Sequence, residues 1–109
     1  MNPFESFYPG DITNVSSIEI LSGDGGERKT INDKSVIKEW LEKIRHVQVV
    51  PEPDQEDYTG FLYVFTLYEH GEEMLTFSPL IINGIKVESS DEIVSLMHEL
   101  YFLESNRAA

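Results

Sequence analysis

The stretch IINGIKV at residues 81–87 constrains the fold more than any other part of the chain. Asn83 and Gly84 lie between two short runs of β-branched residues. A two-residue type I′ turn needs positive φ at both central positions, which asparagine and glycine tolerate. β-branched residues on both sides favour strands. The sequence therefore predicts a tight β-hairpin at this position.

Strand patterns recur along the rest of the chain. VSSIEIL and ERKTI flank the turn-forming SGDGG, and FLYVFTLY and MLTFSPL flank a turn around Gly71. Glycine-rich turns between β-branched or aromatic runs are typical of hairpins. We therefore predict strands over residues 15–21, 27–31, 61–68 and 74–80, with a short strand over 48–50.

Two segments show the apolar spacing of an amphipathic helix. In residues 33–47 an apolar stripe has Trp40 at its centre, and Asn32 or Asp33 is positioned to cap the first turn. We expect Trp40 to anchor this helix on a sheet. A second helix is predicted over residues 89–105, where Ser89 and Glu92 match a capping box.

These elements predict an α+β fold with the order β-β-α-(β)-β-β-β-β-α. Hairpins dominate, so we expect a mostly antiparallel sheet of about five to six strands with two helices packed on one face. The 109 residues suffice for one domain, which we place at residues 14–105. Residues 1–13 are expected to form an N-terminal leader or tether that docks by its aromatics, and residues 106–109 a disordered tail.

Charge and composition exclude several classes of function. The formal net charge of −12 and the absence of a basic stripe disfavour nucleic-acid binding. The chain has no cysteine, which excludes disulfides and thiolate chemistry, and no apolar run long enough to span a membrane. The first residues lack the basic start and apolar core of a signal peptide.

The acidic stretch PEPDQED at residues 51–57 is the densest group of carboxylates. It lacks the glycine and alternating oxygen ligands of an EF-hand loop, so we predict no metal site there and no cofactor elsewhere. We interpret it as a stiff, solvated connection. Its side chains form a possible partner surface, comprising Glu52, Asp54, Glu56, Asp57 and Tyr58.

Catalytic motifs are absent from the sequence. His46, His70 and His98 do not occur at metal-ligand spacing, and no serine lies in a G-x-S-x-G context. We therefore expect no enzyme activity. The alternative of a small enzyme would require clustered carboxylates, and its candidates flank the long strand: Asp54, Glu56, Asp57, Glu69 and Glu72.

The arrangement resembles the small extracytoplasmic lipoproteins of Bacillus-type Gram-positive bacteria. The resemblance covers roughly residues 15–104 and includes a strand pair ending at Asn32-Asp33-Lys34, an amphipathic helix and an Asp57-Tyr58 step before an aromatic strand. It implies a lipid-anchored domain on the extracytoplasmic face of the membrane. The family's signal and lipobox cysteine do not occur in this sequence, so residues 2–13 would correspond to the tether.

Two classes of function follow from these patterns. The leading hypothesis is a non-catalytic binding domain that meets a protein partner in the cell envelope through an edge strand or the acidic rim, with exclusion or immunity for a mobile element as one setting. The alternative is a cytoplasmic acidic antagonist, such as an immunity protein or DNA mimic, which would present one contiguous acidic face.

Overall fold

A computed structural model describes residues 2–23, 25–53 and 62–108. This part of the chain contains two helices and eight strands, together with 3-10 turns over Phe4–Phe7 and Ile12–Asn14. The elements are β1 (Asn2–Pro3), β2 (Ser17–Ser22), β3 (Arg28–Ile31), α1 (Lys34–Ile44), β4 (Gln48–Val49), β5 (Tyr63–Glu69), β6 (Glu72–Ser78), β7 (Ile81–Ile82), β8 (Ile85–Lys86) and α2 (Asp91–Ala108).

The main sheet has six antiparallel strands in the order β3-β2-β5-β6-β7-β8. A separate two-stranded sheet pairs β1 with β4. The central contact is the long-range pairing of β2 with β5, which places Ile20 opposite Phe65 and Ile18 opposite Leu67. These four side chains are buried and point to the same face of the sheet.

Both helices cover that face. The indole of Trp40 on α1 lies 5.6 Å from the ring of Phe65, and Tyr101 on α2 lies 5.0 Å from Tyr63. Because Tyr63 and Phe65 are two residues apart on β5, they share one face. The α+β class, the antiparallel sheet and the placement of both helices on one face confirm the predicted fold.

Turn and cap residues fix the ends of these elements. Asn83 and Gly84 have φ of 52° and 79°, which confirms the predicted turn between β7 and β8. Asp33 caps α1 by accepting hydrogen bonds from the amides of Ser35 and Val36. The predicted capping box of Ser89 and Glu92 is wrong by one residue. The helix begins at Asp91, and the Ser90 hydroxyl accepts the bond from the Ile93 amide at 3.3 Å.

Both chain ends contribute to elements that the structure describes. Residues 2–13, expected as a leader or tether, contribute Phe4, Tyr8 and Ile12 to the buried core. The ring of Phe4 packs edge-on against Phe77 at 4.8 Å. Helix α2 continues to Ala108, into the segment where we expected a disordered tail.

Helix length and polarity bear on membrane insertion. Neither helix in the described part of the chain combines the length and the apolar character needed to cross a bilayer.

Candidate interaction site at the open sheet edge

The two edges of the main sheet are finished differently. At the β8 edge the chain returns beside the strand. The amide of Glu52 donates to the carbonyl of Lys86 at 2.9 Å, and the amide of Glu88 donates to that of Val50 at 2.8 Å. An isolated bridge joins Pro51 to Val87. Residues 50–52 therefore close this edge.

The β3 edge is open in the residues that the structure describes. The Ser22 amide donates to the Glu27 carbonyl at 2.8 Å, so the antiparallel ladder directs the backbone groups of Lys29 toward β2 as well. The alternate residues, Arg28 and Thr30, then direct their amides and carbonyls away from the sheet. Within the described ranges no backbone group pairs with them.

Tyr101 of helix α2 lies beside this edge. The Lys29 ammonium lies 3.9 Å from the centre of the Tyr101 ring, which is a cation–π contact. The Tyr101 hydroxyl donates to Glu27 Oε2 at 3.2 Å. These two contacts hold the Tyr101 ring alongside β3, on the face of the sheet that the helices cover. We call the outer edge of β3 together with Tyr101 and Phe102 the edge cleft.

A second layer of aromatic side chains packs against Tyr101 and Phe102. The Tyr63 hydroxyl and Nδ1 of His98 are 2.8 Å apart, and the His98 ring stacks on Phe102 at 5.8 Å. Tyr63 is only 4% exposed. Burial raises the pKa of its phenol, with a further contribution from Tyr101. The phenol therefore stays neutral and able to hydrogen bond at physiological pH.

The outer part of this region exposes large apolar side chains. Phe102 is 54% exposed, Leu103 is 40% exposed, and Leu62, the residue before β5, is 44% exposed. Phe102 contacts Tyr101 edge-on at 5.3 Å, which extends the aromatic surface outward. Single exposed apolar residues are common on protein surfaces. Here, however, the exposed ring contacts Tyr101, whose own ring lies beside Lys29 on β3. Aromatic side chains beside a strand edge that is unpaired in the described residues can receive an extended chain.

Charge on β3 contrasts with that of the whole molecule. The guanidinium of Arg28 bonds Glu19 at 2.8 Å on the uncovered face of the sheet, and Lys29 lies 3.8 Å from Glu27. The ion pairs make the strand and its immediate surroundings close to neutral, whereas the chain carries −12. A partner approaching this edge therefore meets two cations that offset nearby carboxylates in a chain of net charge −12.

Of the predicted partner surface, only Glu52 lies within the described residues. The backbone of Glu52 closes the β8 edge, away from the edge cleft. Asp54, Glu56, Asp57 and Tyr58 lie outside the described residues.

The carboxylates suggested for a small enzyme separate in the same way. Glu69 and Glu72 face each other at the end of the β5–β6 pair, and Glu69 accepts a hydrogen bond from the Tyr8 hydroxyl. The other three candidates, Asp54, Glu56 and Asp57, are outside the described ranges. Over those ranges, no three histidine or carboxylate side chains are close enough together to hold a metal ion.

Sequence patterns do not reveal the edge cleft. In the run LYFL at residues 100–103, Leu100 is buried whereas Phe102 and Leu103 are exposed. A long apolar run in a helix that already has a complete buried stripe is the available signal. The open edge has no such signal, because strand order depends on the pairing of β2 with β5.

Comparison with known proteins gives no further guide to function. No protein family, curated protein or solved structure matches the chain. The functional inference therefore depends on the geometry of the chain itself.

Proposed function

We propose that the chain is a non-catalytic interaction domain that binds a protein partner by adding one of the partner's extended segments to β3. The observation that carries the proposal is that, among the described residues, no strand pairs with the outer edge of β3, beside which lies the half-buried ring of Tyr101 with the exposed ring of Phe102 next to it. The outward backbone groups of Arg28 and Thr30 would supply main-chain hydrogen bonds, and Tyr101 and Phe102 would receive alternate side chains.

The geometry of the edge cleft favours a particular chemistry in the partner segment. Side chains of an added strand point alternately to the two faces of the sheet. Those on the helix side would meet Tyr101, Phe102 and the stem of Lys29, which favours apolar or aromatic residues. Those on the other side would meet Arg28, whose side chain is 63% exposed, and this favours acidic or hydroxyl residues.

The cellular setting is also a proposal. The resemblance over residues 15–104 supports a lipid-anchored domain on the extracytoplasmic face of a Gram-positive membrane, where the partner would belong to the cell envelope. An open edge invites non-specific strand pairing in a crowded solution. A high net negative charge offsets that hazard because identical copies repel one another.

The alternative of a DNA mimic has less support from the described residues. Such a protein needs its carboxylates on one continuous face. Here Glu19 and Glu73 lie on the uncovered face of the sheet, whereas Glu39 and Glu42 lie on α1 against the opposite face. Among the described side chains the negative charge is therefore distributed around the domain.

Selection from a library of random twelve-residue peptides tests the proposal. We expect the selected peptides to alternate apolar with polar residues and to shift the backbone NMR resonances of residues 28–31 in a saturable way. The diagnostic variant is Thr30→Pro. It removes an amide that points away from β2, so the internal ladder stays intact while the added strand loses a donor.

Thr30→Ala is the matched control, because it changes the same side chain and keeps the amide. We expect Thr30→Ala to bind the selected peptides as the wild type does and Thr30→Pro to lose most of the affinity. Peptides methylated on alternate amide nitrogens add a second control, since only one of the two sets faces β3. Equal binding by both variants, or resonance shifts confined to another surface, would reject strand addition.

A further inference from the structure

A groove lies away from the edge cleft, between α1 and the 3-10 turn over Ile12–Asn14. Its volume is about 430 Å³, and the turn between β5 and β6 closes one side with His70. The backbone amide of His70 donates to the Ser16 hydroxyl at 2.9 Å, which fixes that turn against the groove. The volume falls in the range of roughly 300–1,000 Å³ that is typical of small-molecule sites.

The floor and the rim of this groove differ in chemistry. The floor is formed by buried apolar side chains, namely Ile12, Val15, Ile37 and Leu41. Lys34 and Lys38 stand on the rim one helical turn apart, with Arg45 further along α1. Three of the chain's eight lysines and arginines therefore line one groove of a molecule whose net charge is −12, and Glu42 is the one carboxylate among the described residues that line it.

The three cations are not equivalent. Arg45 is neutralised locally, because its guanidinium bonds Glu5 at 2.7 Å and Glu42 at 3.0 Å. Within the described part of the chain neither Lys34 nor Lys38 has a carboxylate within ion-pair distance. Two adjacent lysines that lack a local carboxylate partner in an acidic protein form a site that is complementary to an anion.

We propose that this groove binds a small amphipathic anion, with its acid group between Lys34 and Lys38 and its apolar body on the floor formed by Ile37 and Leu41. The acid group supplies the charge that the lysine pair lacks, and the apolar floor rewards a hydrocarbon or aromatic body over a simple inorganic ion. The ligand is a free molecule rather than an anionic lipid in a bilayer, because a chain with a charge of −12 is repelled by an anionic membrane surface.

Titration of the full chain with sodium octanoate tests the proposal, followed by the backbone resonances of residues 12–16 and 34–45. We expect saturable shifts there, and much weaker shifts with 1-octanol, which has the same chain length without the charge. The variant Lys34→Gln/Lys38→Gln should weaken octanoate binding by about tenfold or more, since two charged contacts to the carboxylate are lost. Added salt should weaken binding in the wild type.

The matched control is Lys43→Gln/Lys86→Gln, which also removes two positive charges, but from surfaces outside the groove. It should bind octanoate within about twofold of the wild type, because screened charges at a distance contribute little. Equal loss in both double variants, absence of saturation, or shifts located at Phe102 would overturn the proposal. Binding to phosphatidylglycerol vesicles that is lost in Lys34→Gln/Lys38→Gln would overturn the assignment to a free ligand. Thr30→Pro leaves this groove unchanged, so it tests the edge cleft independently.

Discussion

The two helices pack on the same face of the sheet but present different surfaces to solvent. Helix α1 buries its large apolar side chains and exposes lysines and glutamates. Helix α2 also buries one stripe, formed by Ile93, Met97 and Leu100, but leaves Phe102 and Leu103 exposed. The buried stripes serve the fold in both helices. The outer face of α1 is charged, whereas that of α2 changes from Asp91, Glu92 and Glu99 to the apolar Phe102 and Leu103 at its outer end. This difference agrees with the two classes of ligand proposed above.

The contrast between the two helices separates residues that stabilise the domain from residues that are available for binding. An apolar side chain on α1 that is removed leaves a cavity in the core, whereas the same change at the outer end of α2 removes surface that already contacts water. The predictions below test the division, from the largest expected change in stability to the smallest.

The largest effect is expected at the centre of α1. Trp40 is 3% exposed, packs on Phe65, and donates its indole N–H to the Leu96 carbonyl at 2.7 Å. Trp40→Ala should lower the free energy of unfolding by about 3–5 kcal/mol, since it creates a cavity and removes the hydrogen bond from the indole to the Leu96 carbonyl. Urea denaturation measures the change. Trp40→Phe retains most of the volume and should lose less. A loss below about 1 kcal/mol in Trp40→Ala would contradict the anchoring role.

Alkaline pH should destabilise the domain through its buried tyrosines. Burial raises the pKa of Tyr8, and the hydrogen bond and charge of Glu69 raise it further. The folded state therefore keeps the proton at pH values where the unfolded chain has lost it. The contribution to stability is complete below pH ~10 and declines above it, by at most about 1.4 kcal/mol per pH unit for each such group.

Tyr8→Phe isolates the contribution of this phenol. The variant should show a shallower decline of melting temperature between pH 10 and higher values than the wild type, because phenylalanine does not titrate. Tyr63→Phe should reduce the decline as well, since burial also raises the pKa of Tyr63. A steeper decline in either variant would contradict the assigned direction of the pKa shift.

The caps of the two helices offer a test of intermediate size. Asp33 accepts two amide hydrogen bonds, at 3.0 and 3.2 Å, whereas Ser90 accepts one at 3.3 Å. Asp33→Ala should cost about 1–2 kcal/mol and Ser90→Ala about 0.5–1 kcal/mol, because a carboxylate at a helix start also benefits from the helix dipole. Thermal unfolding of both variants at neutral pH gives the order, and the reverse order would contradict it.

The hairpins and the buried stripes of the helices could be predicted from the sequence. Hairpins were predictable because Asn83-Gly84 and the glycine-rich turns fix local backbone geometry. The helix stripes were predictable from periodicity, and Trp40 lies where its size and position indicated. In both cases a local pattern carries the information.

Other features depend on contacts between distant parts of the chain. Phe4 and Tyr8 enter the core from 3-10 turns and extended segments, which bury single residues without any period. The open edge at β3 follows from the pairing of β2 with β5 and not from the composition of β3 itself. The groove between α1 and the 3-10 turn over Ile12–Asn14 likewise brings Lys34 and Lys38 together with His70, which is more than 30 positions away in sequence.

The smallest change in stability is expected where the effect on binding should be largest. Phe102 is 54% exposed and contacts the outer side of the aromatic layer through His98 and Tyr101. Phe102→Ser should change the free energy of unfolding by less than about 1 kcal/mol, because little buried area is lost. The same variant should weaken peptides selected on the wild type at least about tenfold, since exposed aromatic side chains dominate interfaces of this kind. Loss of stability without loss of peptide affinity would make Phe102 part of the core of α2, and the contrast between the two helices would then disappear.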